Sequence, residues 1–175
     1  ISLKRLENHA DLAVVSGSPY DYIKSQMSSS WDDLDGLDPQ RLKIFPCNGT
    51  KKYEFSKSTQ GRPQFVITYD NDMIQHIGKQ NYRILVSILT DLQNDVVETY
   101  KKIPLSGNFI SFRGSMVNWC MIGRDATNDM RRQFTRMDDG LRKSLKKKLD
   151  DEIKTGGIEN MTTSMGGSTS IDIYP

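Results

Sequence analysis

Residues 107–131 contain the pattern that most restricts what this chain can fold into. Two runs rich in β-branched and aromatic residues, 109–113 and 116–122, lie on either side of Gly114-Ser115. A short glycine-containing link between two such runs is typical of a β-hairpin. We therefore expect two antiparallel strands, with Arg113 at the turn and the second strand ending at residues 122–124.

Residues 168–174 show a second strand pattern. Two isoleucines alternate there with Ser170 and Asp172, and successive side chains of a strand point to opposite faces of a sheet. The isoleucines should therefore face a core, while Ser170 and Asp172 share the other face. Residues 161–165 should form the neighbouring strand, joined to this one across a glycine pair.

Three arginines lie at the ends of these predicted elements. Arg113 occupies the hairpin turn, Arg124 follows the second strand, and Arg131 belongs to a short helix for which Thr127 is a suitable N-cap. Guanidinium groups bind phosphate oxygens bidentately and stay charged, so converging arginines suit a phosphorylated sugar. A single arginine at such a position is more often a solvated surface residue, and spacing alone leaves both interpretations open.

Two longer segments have helical periodicity. Apolar residues recur at three- and four-residue steps over 72–102, where Gly78 divides the pattern and Ile103-Pro104 should end it. A second helix should begin after Asp138-Asp139 and place its leucines on one stripe over 141–153. With the four strands, these helices predict an α+β unit: a mainly antiparallel sheet with helices on one face.

The first part of the chain has a different, α/β pattern. The apolar run within 11–20 suits a strand buried on both faces of a parallel sheet. Residues 20–27 should form the next helix and 28–40 a surface connection. The segment 42–55 predicts two strands joined by a hairpin turn at Asn48-Gly49.

Two serines follow the first strand, in the turn Ser16-Gly17-Ser18-Pro19. Hydroxyls and backbone amides at the carboxyl end of a parallel strand, beside a helix N-terminus, are well placed to receive a phosphate group. Glycine, serine and proline are also what a turn needs for its geometry. The residues alone therefore do not assign a role to Ser16 or Ser18.

The overall charge and the cysteines limit the classes of function. A formal charge of +2 from 24 basic and 22 acidic residues gives no general reason to expect nucleic acid or membrane binding. A basic helix over 142–148 leaves a noncatalytic binding module as one alternative, although acidic residues follow it directly. Cys47 and Cys120 form no disulfide framework or metal motif, which fits a reducing cytoplasm.

The segments 107–118, 122–124 and 166–175, together with Arg131, resemble the cap domain of the eukaryotic-type phosphomannomutases, which belong to the haloacid dehalogenase (HAD) superfamily. Weaker similarity covers most of the chain. The resemblance implies a partial HAD-like α/β core over 1–72 and an inserted α+β cap domain over 73–175. It implies that five residues bind the substrate: Arg113, Arg124 and Arg131 its phosphate, and Ser170 and Asp172 its sugar.

Within the core, the resemblance makes Ser16 and Ser18 candidates for contacting the transferring phosphoryl group. Family members usually have Gly-Gly-Ser at this point, so Ser18 fits the pattern and Ser16 departs from it. The family's Pro-Glu-Asn-Gly corresponds to Pro46-Cys47-Asn48-Gly49, in which Cys47 replaces the glutamate. We keep this second match as structural and expect no catalytic role for it.

The implied reaction is the interconversion of mannose 6-phosphate and mannose 1-phosphate for GDP-mannose synthesis, through a phospho-aspartate and a hexose bisphosphate. The family uses Mg²⁺ and a hexose 1,6-bisphosphate activator and forms homodimers through the cap domain. Its Asp-x-Asp-x-Thr loop does not occur here, so we expect the catalytic and metal-binding residues to lie outside this chain. The alternative is a HAD-family sugar-phosphate phosphatase.

The ends of the chain carry two further expectations. Residues 1–8 have leucines at helical spacing and should complete a helix that starts earlier. The first residue is Ile1, and Pro175 follows a predicted strand directly. We therefore expect the chain to be a fragment of a longer protein, and one that is inactive alone.

Overall fold

The computed structural model describes residues 9–31, 38–57 and 63–175. The helix end expected within residues 1–8 lies outside this range. The chain divides into two compact units, Ile1–Asn71 and Asp72–Pro175.

Within its described residues, the first unit contains one α-helix and a four-stranded sheet of order β1-β2-β3-β4. The strands β1 and β2 are parallel, whereas β2–β3 and β3–β4 are antiparallel pairs. Short 3-10 turns at Pro39–Arg41 and Cys47–Gly49 flank β2. The elements in chain order are β1 (Leu12–Val15), α1 (Tyr20–Trp31), β2 (Leu42–Phe45), β3 (Lys51–Lys57) and β4 (Pro63–Asp70).

Apolar packing holds α1 against this sheet. Ile23 of α1 is buried with Leu42 and Ile44 of β2. The rings of Tyr20 and Tyr53 stack with their centroids 4.1 Å apart. The Asn48-Gly49 turn joins two antiparallel strands as predicted, and both of its residues have positive φ.

Two expectations for the first unit are wrong. The strand β1 is not buried on both faces, because its residues alternate in exposure and Val15 is 67% exposed. It is the edge strand of the sheet, and among the described residues only the α1 side is covered. The surface connection expected over 28–40 is wrong at its start, because residues 28–31 belong to α1.

The second unit contains three helices and a four-stranded sheet of order β5-β6-β8-β7, in which every neighbouring pair is antiparallel. Both predicted hairpins, β5–β6 and β7–β8, are confirmed. The elements are α2 (Met73–Thr99), β5 (Ile110–Phe112), β6 (Val117–Cys120), α3 (Asn128–Met137), α4 (Leu141–Thr155), β7 (Thr162–Gly166) and β8 (Ser170–Tyr174).

The core of the second unit lies between one face of this sheet and the helices. Trp119 of β6 is fully buried, and its indole N–H donates to Gln93 Oε1 of α2 at 2.8 Å. Ile171 and Ile173 of β8 are also fully buried in this cluster. Each fully buried large apolar side chain contributes about 2 kcal/mol, so this layer fixes which face of the sheet is left for Ser170 and Asp172.

The helix ends follow the predicted capping pattern with two differences. Thr127 Oγ1 accepts the Met130 N–H at 3.3 Å, as an N-cap should. The helix α2 ends at Thr99, before the predicted stop at Ile103-Pro104, because Tyr100 already has non-helical backbone angles. As predicted, Gly78 interrupts the helix, with a φ of 80°. At α4 the N-cap position is Gly140 and not the predicted Asp138-Asp139, but the Asp138 side chain accepts a first-turn N–H, that of Arg142, at 2.9 Å.

Candidate functional site

A row of polar side chains crosses the second sheet on the face opposite its apolar layer. Strand pairing sets Asn118 of β6 directly between Ser111 of β5 and Asp172 of β8. Asp172 is in turn paired with Ser164 of β7. Side chains directly opposite each other on neighbouring strands share a face. The sheet therefore gathers one polar residue from each of its four strands.

Asn118 is the centre of this row. Its Nδ2 donates to Ser170 Oγ at 3.0 Å and to Asp172 Oδ1 at 2.6 Å. Only 2% of Asn118 is exposed, and Asp172 is 5% exposed. Ser170 Oγ donates to the Gly166 carbonyl at 2.6 Å. These hydrogen bonds fix the orientations of both predicted sugar-binding side chains. Breaking them would leave buried polar groups unpaired, which destabilises the folded state.

Arg124 joins the same network from the loop that follows β6. Its Nη1 donates to Asn118 Oδ1 at 3.0 Å. Asn118 therefore connects a cation on one side to a carboxylate on the other. The strand β6 ends at Cys120, earlier than predicted, so Arg124 lies in a loop of several residues beyond it.

Gly123 allows the loop to turn so tightly before Arg124. Its φ is +83°, and a Cβ added there would lie 2.3 Å from the Gly107 carbonyl oxygen and 2.5 Å from Ser106 Oγ. A residue with a side chain would meet both backbone strain and a clash with backbone. Glycine is thus a requirement of the segment that presents Arg124.

Arg131 donates hydrogen bonds to three residues in two segments, the loop after β6 and the turn between β7 and β8. Its Nε donates to the Ala126 carbonyl at 3.1 Å, its Nη2 to the Arg124 carbonyl at 2.6 Å, and its Nη1 to Thr169 Oγ1 at 2.9 Å. These contacts use three of the five N–H groups of a guanidinium. The side chain is therefore oriented before any ligand arrives, and further donors remain on the same group.

Arg113 lies where the sequence predicts, in the turn after β5. Its backbone N–H donates to the Met116 carbonyl at 2.8 Å, which closes the hairpin. The contacts of Arg124, Arg131, Ser170 and Asp172 connect those residues through Asn118, Thr169 and the Arg124 backbone. Arg113 follows β5, whose Ser111 is one of the four residues of the polar row.

In the first unit, Ser16 and Ser18 belong to one turn. The Ser18 N–H donates to Ser16 Oγ at 3.1 Å, and the Ser16 carbonyl accepts the Asn48 N–H at 2.9 Å. The Ser18 carbonyl accepts the Cys47 N–H at 3.1 Å. Hydrogen bonds thus join the turn at Ser16–Pro19 to the turn at Asn48-Gly49. The Ser16 hydroxyl helps to fix the conformation of the Ser16–Pro19 turn.

Two residues that the sequence patterns did not single out, Asn118 and Thr169, hold predicted site residues in place. Asn118 lies next to Trp119, and strand alternation sends these two side chains to opposite faces. An asparagine next to a tryptophan in a strand pattern was the sequence feature that could have indicated Asn118, because its side chain lies on the face opposite the core. Thr169 offered none, because its partner Arg131 is 38 residues away in the chain.

The side chains that could bind a metal ion are dispersed over the described part of the chain. It contains no group of three or more histidine, cysteine, aspartate or glutamate side chains that could hold an ion. A donor set for Mg²⁺ is therefore not found in residues 9–31, 38–57 and 63–175.

A membrane span needs both length and hydropathy, and none of the helices of the described residues meets both requirements.

The basic face of α4 is largely neutralised within the unit. Arg142 pairs with Asp138, Lys146 with Asp150 at 2.8 Å, and Lys148 with Asp95 at 2.5 Å. The hydrogen bond that the Lys148 ammonium donates to the Asp95 carboxylate raises the pKa of Lys148. These pairs reduce the free cationic charge on which the binding-module alternative depends.

Comparison with solved structures defines the class of fold. Plasmodium falciparum IMP-nucleotidase matches 99% of this chain and 45% of its own, with a TM-score of 0.55 at 7% identity. An N-terminally truncated form of that enzyme gives a TM-score of 0.59, also at 7% identity. The chain is therefore an α/β protein with a HAD-like fold.

The sequence comparisons identify the family within this class. The family model for eukaryotic phosphomannomutase matches residues 1–175, and the chain belongs to that family. Relatives include phosphomannomutase of Drosophila melanogaster, 25% identical over 98% of this chain, and phosphomannomutase 1 of Homo sapiens, 28% identical over 99%. The chain spans 60% and 59% of the lengths of these two relatives.

The close approach at Gly123 predicts a large loss of stability on substitution. Gly123→Ala should lower the free energy of unfolding by about 3 kcal/mol, from positive-φ strain plus overpacking against backbone. Urea unfolding would measure this loss. Gly140→Ala is the matched control, because Gly140 also has positive φ but no atom lies within 4 Å of its added Cβ. Equal losses in the two variants would contradict the role given to the Gly107 contact.

Proposed function

We propose that this chain is the substrate-binding part of a phosphomannomutase, which interconverts mannose 6-phosphate and mannose 1-phosphate. Family membership supports the reaction class. The observation that carries the site is the joined network of Arg124, Asn118 and Asp172 on one face of the sheet. Such a network sets a cation and a carboxylate side by side, as a phosphorylated sugar requires.

In this proposal Arg113, Arg124 and Arg131 bind the phosphate that is not being transferred. Ser170 and Asp172 orient the sugar hydroxyls. Their hydrogen bonds to Asn118 and to the backbone support this role, because groups already held in place lose less conformational entropy when the ligand binds. Residues 73–175 would then be the cap domain of the family.

Residues 1–72 would form part of the HAD-like core. There the Ser18 hydroxyl would donate to the transferring phosphoryl group, since Ser18 fits the family pattern. Ser16 is the weaker candidate, because it departs from that pattern, although accepting the Ser18 N–H leaves its own O–H available as a donor. The catalytic aspartates and the Mg²⁺ ligands would be supplied by residues outside this chain, with a hexose 1,6-bisphosphate as activator.

The whole protein would act in GDP-mannose synthesis in the cytoplasm, as a homodimer formed through the cap domains, with hexose phosphates rather than nucleic acid or membranes as its partners. Arginines that bind the phosphate remote from the reacting one would suit such a mutase. The bisphosphate intermediate must reverse its orientation in the site between the two half-reactions. The arginines would keep it bound while it reorients.

The deciding experiment uses the protein encoded by the complete reading frame. It is given mannose 1-phosphate, Mg²⁺ and a hexose 1,6-bisphosphate, and both mannose 6-phosphate and free phosphate are followed in the same reaction. We expect isomer formation that depends on the bisphosphate, with little free phosphate. Free phosphate without isomer would replace the mutase by a sugar-phosphate phosphatase. A parallel reaction with glucose 1-phosphate measures the preference between the two sugars.

A further inference from the structure

A groove of about 520 Å³ runs along α3 and reaches the turn between β7 and β8. We name it the arginine groove. The helix contributes one face to it, since its lining positions recur at three- and four-residue steps. The lining residues are Asn128, Arg131, Arg132, Thr135, Arg136 and Ser168.

The arginine groove is cationic. Three guanidinium groups line it, and none of its lining residues is acidic. Arg132 Nη2 donates at 2.9 Å to the carboxylate of Asp129, which lies outside the lining. The Asp129 side chain is 91% exposed and that of Arg132 68% exposed. An exposed ion pair of this kind contributes little free energy, so Arg132 can exchange it for a ligand.

The polar groups of the groove match an oxyanion in particular. Arginine forks bind phosphate bidentately, and Asn128 and Ser168 add neutral donors. Arg131 enters the groove already fixed by its contacts to Ala126, Arg124 and Thr169. None of the lining residues is aromatic and able to stack a base, and α3 is only 10 residues long. Both features favour a small phosphorylated molecule over a nucleic acid strand.

We propose that the arginine groove is a second anion site, in which Arg132 and Arg136 bind the phosphate group of a small metabolite. It is separate from the polar row of the sheet and shares only Arg131 with the substrate site proposed above. The inference does not depend on the mutase reaction, because it follows from the charge and the lining of α3. Free phosphate and a phosphate ester offer the same chemistry to these arginines.

Amide chemical shifts of the full chain, titrated with inorganic phosphate, test this site directly. Saturating shifts at residues 128–136 and 168 are expected. The double variant Arg132→Gln/Arg136→Gln should weaken the binding by about 10- to 100-fold, the effect of losing charge-assisted hydrogen bonds. Lys147→Gln is the matched control, because it removes an exposed cation from α4, outside the groove. A titration with mannose 6-phosphate then distinguishes a bound ester from free phosphate.

Arg124→Gln separates this inference from the proposed function. It should abolish hexose phosphate shifts at residues 118 and 172 while leaving the phosphate shifts at 132–136 intact. If the Arg132/Arg136 double variant binds phosphate as tightly as the unchanged chain does, the second site is wrong. It is also wrong if Lys147→Gln weakens binding equally, since the effect would then be one of general charge.

Discussion

Replacing Arg131 by glutamine is expected to lower kcat/KM of the complete protein on mannose 1-phosphate by about 1,000-fold, or about 4 kcal/mol. The variant loses a charge that cannot be recovered by protonation and a planar fork that binds phosphate at two oxygens. It also loses donors to Ala126, Arg124 and Thr169, so the loop carrying Arg124 loses some of the contacts that hold it. Steady-state kinetics of the isomerisation would measure the loss.

A second arginine variant separates this effect from a general change of charge. Arg83→Gln removes the same group from an exposed position on α2 and should leave kcat/KM unchanged. Thermal unfolding should show a lowered midpoint for Arg131→Gln alone, because its backbone contacts are structural as well. Kinetics within about twofold of the unchanged enzyme would remove Arg131 from the proposed site.

Asn118→Ala is the second large expected effect, and it should appear as instability and lost activity together. The substitution removes the partner of Arg124, Ser170 and Asp172 in a position that is 2% exposed. Removing an amide that donates to the buried Ser170 and Asp172 and accepts from Arg124 costs about 3 kcal/mol. We expect the free energy of unfolding to fall by that amount and kcat/KM to fall at least about 100-fold, since both proposed sugar-binding groups lose their orientation.

Two variants distinguish a role in orientation from a role in stability. Asn94→Ala, at an exposed position on α2, should change neither quantity. Asn118→Asp keeps an acceptor for Arg124 but loses the amide N–H groups that donate to Ser170 and Asp172, and it sets a second carboxylate beside Asp172, so it should be less stable than the unchanged protein. If Asn118→Ala lowers stability while the surviving folded protein keeps full kcat/KM, Asn118 is only structural.

The sequence predicted the local parts of the second unit well. The Gly114-Ser115 hairpin, the alternation of β8 and the Thr127 N-cap all depend on neighbouring residues, and each is found. The roles of Arg113, Arg124 and Arg131 came from family resemblance, and they stay predictions. Periodicity alone gave no reason to prefer these arginines over other surface cations.

The parts that the sequence did not predict depend on contacts between distant residues. Nothing near Asn118 indicates that β8 will lie beside β6, so its bonds to Ser170 and Asp172 could not be expected. The exposure of Val15 likewise depends on where β1 lies in its sheet. The continuation of α1 to Trp31 was missed because a serine-rich segment has no apolar periodicity.

The pairing of β6 with β8 also has a kinetic meaning. The hairpins β5–β6 and β7–β8 are each closed by a few residues, whereas Val117 pairs with Ile173 across more than fifty. Loop closure over that distance makes such a contact late and slow compared with the local hairpins. Asn118 meets Asp172 only at that step. Ligand binding should therefore be acquired last during refolding, after most secondary structure has formed, and would report on completed native topology.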